Sequence, residues 1–282
     1  MYFSKARDKK IESKRCRKLS AMLLVVTLTL VLGIAAPVCW AEEDEIPFDE
    51  ASIFFELNDT DGDLGIHALI DGEPWKKLEI EDPRENEMLD VSVKGRLRRQ
   101  GLTELFFESA EPTFDELSPE EFFPRFPEGT YEIEAETLEG DELESEVEVS
   151  HVMPAPPGNI KINRQSAAEN CDAEELPSVR RGRPVIISWD PVTTSHPRIG
   201  EDGPVEVVRY QAVTEWEDED EVAFVFSADF PPSNRRRMRV TVPPQFIAAG
   251  IAEGTEEFKF EILVRASNGN QTAVESCFEI VE

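Results

Sequence analysis

The feature that most constrains the fold is a strict alternation of apolar and acidic residues in TYEIEAETLEGDELESEVEVSHV, residues 130–152. Tyr131, Ile133 and Ala135 recur at every second position, with glutamates between them. Alternate side chains of a strand point to opposite faces of a sheet, so a period of two predicts half-buried strands with one wet face. The Gly140–Asp141 pair predicts a turn between two such strands. We therefore interpret these glutamates as the solvent face of a sheet and not as a catalytic cluster.

Segments with a strand pattern recur along the rest of the chain and are separated by turn signals, as is typical of antiparallel sandwiches. The predicted strands are residues 52–57, 64–70, 75–80, 88–93, 103–108, 131–137, 143–152, 159–162, 184–189, 205–215, 222–227, 236–242, 257–267 and 272–281. The proline-dense segment MPAPPG, residues 153–158, predicts a semi-rigid connector. We therefore predict a mostly β fold, with two immunoglobulin-like antiparallel β-sandwich domains in tandem at residues 42–152 and 159–282.

One helix is predicted, in the segment LSPEEFFPRF. Ser118 is a good N-cap, Pro119 suits the first helical position, and Glu121 completes a capping box. The apolar face of this short helix consists of Phe122, Phe123 and Phe126. We expect that face to form a lid over the end of the first sandwich core; the alternative is an exposed docking element.

The second predicted domain carries the segments VIISWDPVT (185–193), VEVVRYQAVTEW (205–216), VTVPPQF (240–246) and EFKFEILVRASNGNQTAVESCFEI (257–280). With these segments, residues 155–282 resemble a fibronectin type III domain of bacterial secreted proteins. The resemblance implies a sandwich with Trp189 and Tyr210 packed in its core, and a spacer or recognition role without catalysis.

Two features of this chain depart from that family. Phe258 stands where the family usually has a tyrosine that makes a corner hydrogen bond, and the loop from Gln165 to Arg183 is long. The segment ASNGNQT, residues 266–272, suits a tight hairpin turn in its own right. Residues 42–152 show no family resemblance.

The N-terminus has the pattern of a secretory signal peptide over residues 1–41. A basic region precedes an apolar run of about 16 residues, which is shorter than the roughly 20 needed to span a bilayer. Cleavage is expected after Ala41, which places the protein in the periplasm or outside the cell. An uncleaved anchor in the inner membrane is the alternative, and the membrane is a partner only in that case. A lipid anchor at Cys39 is disfavoured because Val38 precedes it.

Cleavage would leave two of the four cysteines, Cys171 and Cys277. Two cysteines in an exported chain most often form one disulfide, which we predict here. The alternative is a metal-binding or nucleophilic thiol, for which neither cysteine has a Cys-x-x-Cys or histidine partner nearby in sequence.

The net charge of −30 excludes nucleic acid as a partner, because phosphate binding depends on Lys and Arg. Removal of residues 1–41 takes away eight basic and two acidic residues and leaves about −36. Such charge keeps a protein soluble. The alternative, more specific interpretation is that the protein has affinity for divalent cations or for a basic partner.

Three aspartates surround a glycine in ELNDTDGDLGI, residues 56–66. An EF-hand needs ligands at fixed positions, a glycine at the sixth and an acid at the twelfth, and neither register of this segment supplies them. A hairpin turn selects the same residue types. The two hypotheses are therefore a turn, or a looser calcium site at Asp59, Asp61 and Asp63. The nearby IDGEPW, residues 70–75, is predicted to be a turn.

The one basic cluster is RRRMR, residues 235–239, where Arg235, Arg237 and Arg239 share a face at strand period. We interpret it as an edge strand paired with acidic neighbours; the alternative is a docking site for an acidic partner or glycan. The three histidines show no metal-ligand spacing. No hydrolase, phosphate-loop or zinc motif occurs, so no catalytic residue is assigned.

These features predict a non-enzymatic exported protein that acts as a binding protein or a spacer, in the cell envelope or outside the cell. Its partner is expected to be a protein or a glycan, and no cofactor is expected apart from calcium. The alternatives are a carbohydrate-active enzyme or its accessory subunit, and a calcium-stabilised structural module.

Overall fold

The computed structural model describes residues 46–217, 222–233 and 236–282. The predicted signal peptide and its alternatives lie outside these residues. The chain divides into two units, residues 1–43 and 44–282, and every described residue belongs to the second. Within the described ranges, no helix has the length and apolar character to cross a membrane.

Strands dominate the described part of the chain, with two α-helices between them. The strands are β1 (Glu50–Asn58), β2 (Asp63–Glu81), β3 (Glu87–Ser92), β4 (Leu102–Glu108), β5 (Gly129–Thr137), β6 (Glu142–Val149), β7 (Gly158–Ile162), β8 (Gln165–Ser166), β9 (Ser178–Arg180), β10 (Val185–Asp190), β11 (Val207–Glu217), β12 (Ala223–Phe230), β13 (Met238–Val242), β14 (Glu257–Ala266) and β15 (Gln271–Val281). The helices are α1 (Pro119–Phe122) and α2 (Pro244–Ala252), and the predicted mostly β class with sandwich packing is confirmed.

The first half of the molecule comprises strands β1–β6 and the second half strands β7–β15. Strand β2 organises the first half. Its beginning pairs with β1 and β4, and its end pairs with β3 and β5. The turn predicted at residues 70–75 was wrong, because β2 runs through Asp71 and Gly72 without reversing. The pairing register shifts between Asp71 and Trp75, so the segment bends the strand in the manner of a β-bulge. A Cβ at Gly72 would lie 3.0 Å from the Phe48 ring, which shows how closely the bend is packed.

The acidic alternation of residues 130–152 forms the paired strands β5 and β6. Tyr131, Ile133 and Ala135 are buried in the first core, and Glu132 and Glu134 between them are exposed. Glutamates face each other across the pair, Glu132 opposite Glu146, Glu134 opposite Glu144 and Glu136 opposite Glu142. The prediction of a half-buried strand pair with an acidic wet face is confirmed.

The predicted phenylalanine lid is present at the end of the first core. Helix α1 continues into a 3-10 turn, Phe123–Arg125. Phe122 and Phe123 are buried, and their ring centroids lie 6.0 and 5.3 Å from that of Phe55. The capping box is incomplete, since Ser118 makes no side-chain hydrogen bond to the helix backbone and only its Oγ approaches Glu121 Oε2, at 3.5 Å.

The second half packs two sheets against each other. Strands β12, β11, β14 and β15 lie side by side in one, and β13, β10, β7 and β8 in the other. Trp189 and Tyr210 are buried between them with ring centroids 5.8 Å apart, and the Tyr210 hydroxyl accepts a 2.7 Å hydrogen bond from the Val192 N–H. Helix α2 was not predicted; its Gly250 packs directly beneath Phe258.

A disulfide joins Cys171 to Cys277, as predicted. It ties the long loop after β8 to strand β15.

The two halves share one eleven-stranded sheet, because β1 pairs with β15 in parallel at Glu56–Asn58 and Gln271–Ala273. Each half has its own cluster of buried apolar side chains, and Ile199 of the second half packs into the first cluster. The backbone hydrogen bonding of the sheet is therefore continuous from one half to the other.

Candidate functional site

The junction between the halves is built from buried polar groups. Asn270 is 1% exposed. Its Oδ1 accepts a 2.9 Å hydrogen bond from the Phe55 N–H, and its Nδ2 donates to the carbonyl oxygens of Ser150 (2.7 Å) and Val152 (3.1 Å). Thr272 Oγ1 donates to the Pro154 carbonyl at 2.7 Å. These bonds attach the hairpin turn after β14 to both β1 and the connector.

A histidine–aspartate pair lies at the same junction. His196 is buried, and its Nδ1 accepts a hydrogen bond from the Ile199 N–H at 2.9 Å. Nε2 therefore carries the ring proton and donates it to Asp59 Oδ1 at 2.9 Å. Asp59 thus holds the second half to the turn after β1.

A group of carboxylates, here called the junction patch, occupies the sheet face beside this junction; Asp61 and Glu108 are exposed and the other members are partly buried. It comprises Glu56, Asp61, Asp63, Glu108, Glu111, Glu215, Glu261 and Glu275. Glu261 of β14 stands directly opposite Glu275 of β15, and Glu56 of β1 stands opposite Gln271 of β15. Like charges directly across a strand pair destabilise a sheet. The opposed charges of Glu261 and Glu275 therefore destabilise the sheet locally.

The pKa values of four patch carboxyls, those of Glu56, Asp61, Asp63 and Glu261, are raised. Burial, together with the charges of Glu56 and Glu275, raises the pKa of Glu261 to about 7. Burial and the charges of Glu111 and Asp61 raise the pKa of Asp63 to about 6. Burial also raises the pKa of Glu56. Carboxyls with such strongly perturbed pKa values are found preferentially at functional sites.

Few cations balance these charges. Lys259 Nζ lies 2.8 Å from Glu275 Oε2 and 3.8 Å from Glu215 Oε1. His67 Nε2 lies 2.9 Å from Glu111 Oε1. Burial acts to lower the pKa of His67, but the hydrogen bond to Glu111 and the charge of Glu56 outweigh it and raise that pKa.

Gly65 makes room for the His67–Glu111 pair. A Cβ at this position of β2 would lie 2.8 Å from Glu111 Cγ. The absent side chain therefore lets Glu111 lie across the strand and reach His67. The same glycine stands opposite Glu56 in the β1–β2 pairing, so it lies within the patch itself.

The three aspartates proposed for calcium have different surroundings. Asp59 is bound to His196, Asp61 Oδ2 accepts a 3.2 Å hydrogen bond from Asn58 Nδ2, and Asp63 lies in the patch near Glu111. Asn58 Oδ1 also accepts hydrogen bonds from the backbone N–H groups of Thr60 (3.0 Å) and Asp61 (3.2 Å), which is how a turn is held in place by asparagine. The structure brings Asp61 and Asp63 to the patch and leaves calcium binding a prediction.

The arginine cluster is only partly described, because Arg235 lies outside the described residues. Arg237 Nη1 donates to Asp190 Oδ1 at 2.8 Å, and its Nη2 donates to the carbonyl oxygens of Asn159 (2.7 Å) and Ser188 (3.0 Å). Arg237, just before β13, therefore ties together strands β10 and β7 of the same sheet. Arg239 is exposed on β13, an edge strand, and docking there stays a prediction.

Three sets of side chains in the described ranges place potential metal ligands within 4.8 Å of one another. They are Cys171, Glu257 and Cys277; His67, Glu108 and Glu111; and Glu128, His151 and Glu201. The first is closed by its disulfide, and in the second His67 Nε2 is already bound to Glu111.

Sequence reasoning missed most of the patch. Glu56 and Glu261 are remote along the chain and become neighbours only through the β1–β15 pairing. The local sequence offered no distinguishing signal, because Glu261 shares one face of β14 with Glu257, Lys259 and Arg265, as expected of a solvent-facing glutamate.

No family model matches the chain, and no curated protein matches it in sequence. Solved structures are similar at low TM-scores. The tetra-tandem repeat from the extending region of a large adhesion protein has a TM-score of 0.27 and 11% identity, over 82% of this chain and 50% of that one. A bacterial ice-binding adhesin of 1.5 MDa, solved for its retention at the host cell surface, has a TM-score of 0.24 and 10% identity, over 84% and 66%. The chicken interferon gamma receptor alpha chain has a TM-score of 0.23 and 11% identity, over 83% and 98%. The chain thus spans about half of the adhesion repeat structure, and likeness at this level carries no argument about function.

Proposed function

We propose that the chain is a non-enzymatic exported protein that acts as a spacer and as a binding protein. Its junction patch recognises the basic residues of a protein partner. The observation that carries this proposal is the position of Glu261 opposite Glu275, next to Glu56, on a sheet face. Arrangements that destabilise a natural protein locally are often found at its functional sites. A cationic partner would remove this repulsion, so the binding energy would come from groups that are strained in the free protein.

The spacer part of the proposal rests on the junction. Parallel pairing of β1 with β15, the Asn270 hydrogen bonds and the His196–Asp59 pair hold the two halves together. A binding face that crosses such a junction keeps its shape only if the halves do not hinge.

We further propose that the second half is a fibronectin type III module. Its support is the arrangement of β13, β10 and β7 against β12, β11, β14 and β15, with Trp189 and Tyr210 between the sheets. An exported location is supported by the disulfide, since disulfides persist in oxidising compartments.

The test is capture of a partner by the immobilised full chain from a native envelope and culture-medium extract. The double variant Glu261→Gln/Glu275→Gln removes two opposed charges of the patch. The matched control, Glu132→Gln/Glu146→Gln, removes two opposed charges from the wet face of β5 and β6. At a pH well above the Glu261 pKa of about 7, both variants change the net charge by the same amount.

We expect the wild type and the control to retain a stoichiometric partner that dissociates at high salt, and the patch variant to lose it. Equal loss in both variants would show that overall charge, and not the patch, attracts the partner. Absence of any partner would contradict the binding proposal.

A further inference from the structure

A cavity of about 560 Å³ lies where the lid segment of the first half meets a loop of the second half. Phe123 and Pro127 form part of its apolar wall, and Arg84 and Arg198 contribute positive charge. This cavity is separate from the junction patch, and none of the carboxylates of the patch lines it.

Glu128, His151 and Glu201 line one side of this cavity. One potential ligand atom from each lies within 4.8 Å of the other two. Ligand atoms bound at 2.0–2.2 Å in a tetrahedral zinc site are about 3.4 Å apart. Both glutamates are exposed, so their side chains have room to rotate toward that spacing.

The His151 ring is oriented by a group outside the cluster. Its Nε2 lies 2.8 Å from the Phe126 carbonyl oxygen, which only accepts hydrogen bonds. Nε2 therefore carries the proton, and Nδ1 keeps its lone pair. Metal-binding histidines almost always donate their other ring N–H to a carbonyl or carboxylate in this way. His67 differs, because its Nε2 is bound directly to a carboxylate of its own cluster.

The backbone holds the two glutamates beside His151. Glu128 Oε1 accepts a 2.7 Å hydrogen bond from the His151 N–H, which leaves its second oxygen available. The Glu201 N–H donates to the His151 carbonyl at 3.0 Å. A Cβ at Gly200 would collide with that same carbonyl oxygen, so only glycine permits this close approach. Three separate segments of the chain thus converge on one point.

We propose that Glu128, His151 and Glu201 bind one divalent transition-metal ion, with Zn²⁺ as the representative. Imidazole favours zinc and its neighbours over calcium and magnesium, which prefer all-oxygen sites. Three protein ligands leave a coordination position open, as in zinc sites that bind a small ligand. Arg84 and Arg198 on the cavity wall favour an anion at that position.

The test is calorimetric titration of the full chain with Zn²⁺, and separately with Ca²⁺. The variants Glu128→Gln and Glu201→Gln remove one negative ligand each, and the amide oxygen introduced by Glu128→Gln would still accept from the His151 N–H. Glu120→Gln is the matched control, since Glu120 is an exposed glutamate that lines the same cavity and is not one of the three ligands. Glu111→Gln controls for binding at His67.

We expect the wild type to bind zinc more tightly than calcium. Each ligand variant should weaken the zinc affinity by at least about tenfold. The double variant Glu128→Gln/Glu201→Gln should lose one equivalent of zinc relative to the wild type, while Glu120→Gln and Glu111→Gln retain it. Undiminished stoichiometry in the double variant would overturn the proposal, and so would loss of the same equivalent in Glu111→Gln. This outcome is independent of the partner-capture experiment.

Discussion

The buried Asn270 side chain connects three parts of the junction. Asn270→Ala would remove its bonds to Ser150 and Val152 and leave the buried Phe55 N–H without an acceptor. An unsatisfied buried group costs about 1–3 kcal/mol, so we expect a loss of about 3 kcal/mol in the free energy of unfolding. Urea denaturation measures it. Asn268→Ala, at a less buried position, removes one hydrogen bond to the Val152 carbonyl and the 3.2 Å acceptor of the Asn270 N–H; it should cost less, and an equal cost would contradict this account.

The raised pKa values of the patch predict how stability depends on pH. Glu261 and Asp63 have folded-state pKa values of about 7 and about 6, against ordinary values of 4.5 and 3.8. The folded state therefore binds protons more tightly than the unfolded state, and these groups make the free energy of unfolding fall as pH rises from about 4 to 7. Glu261→Gln should raise that free energy by about 1 kcal/mol at pH 8, after allowance for solvent screening, and by less at pH 5. Urea midpoints across this range measure the effect; a constant difference would contradict it. Glu132→Gln controls for the loss of one exposed charge.

Gly65 provides a test of the His67–Glu111 pair. In Gly65→Ala, the new methyl group would push Glu111 away from His67. Because the hydrogen bond to Glu111 helps to raise the pKa of His67, that pKa should fall in the variant. NMR titration of the imidazole protons measures it. Glu111→Gln should shift the pKa in the same direction, and an unchanged value in both variants would show that the pair is not formed.

At the scale of elements, alternating strands were predicted well because their burial pattern is local. Ile133 and Ala135 alternate with glutamates and are buried as expected. The bend of β2 was missed because Asp71–Gly72 is a turn signal in isolation, while packing on Phe48 and pairing with β1 keep the strand extended. Helix α2 was missed because its apolar residues show no clear helical period; it is defined by packing of Gly250 against Phe258.

The disulfide stabilises the loop between β8 and β9. It spans 106 residues of sequence between Cys171 and Cys277. A closed loop of roughly that length is worth about 4.7 kcal/mol on the chain-entropy model. Cys171→Ala/Cys277→Ala should therefore lower the melting temperature, and a reductant should lower it in the wild type but not in the variant. A wild type insensitive to reductant even after unfolding in its presence would contradict this expectation.

At the scale of the whole molecule, the class and the disulfide were predictable, whereas the junction was not. Each sandwich has its own local pattern, but nothing near Gln271 indicates that β15 pairs with β1. The junction patch and the cluster at His151 could not be predicted for the same reason, because their members come from segments far apart in sequence. The pairing of strands that are distant in sequence determines which charged side chains become neighbours. That pairing cannot be read from a single sequence.

This pairing predicts that the two halves unfold together. Strand β1 belongs to the first core and β15 to the second, so loss of either strand exposes polar groups of the other half. We expect one cooperative transition in calorimetry, with equal calorimetric and van't Hoff enthalpies. Asp59→Ala would leave the buried His196 Nε2–H without its acceptor and weaken the junction, so the transition should broaden or separate into two. Two transitions in the wild type would show instead that the halves are independent, and that the shared sheet contributes little to their coupling.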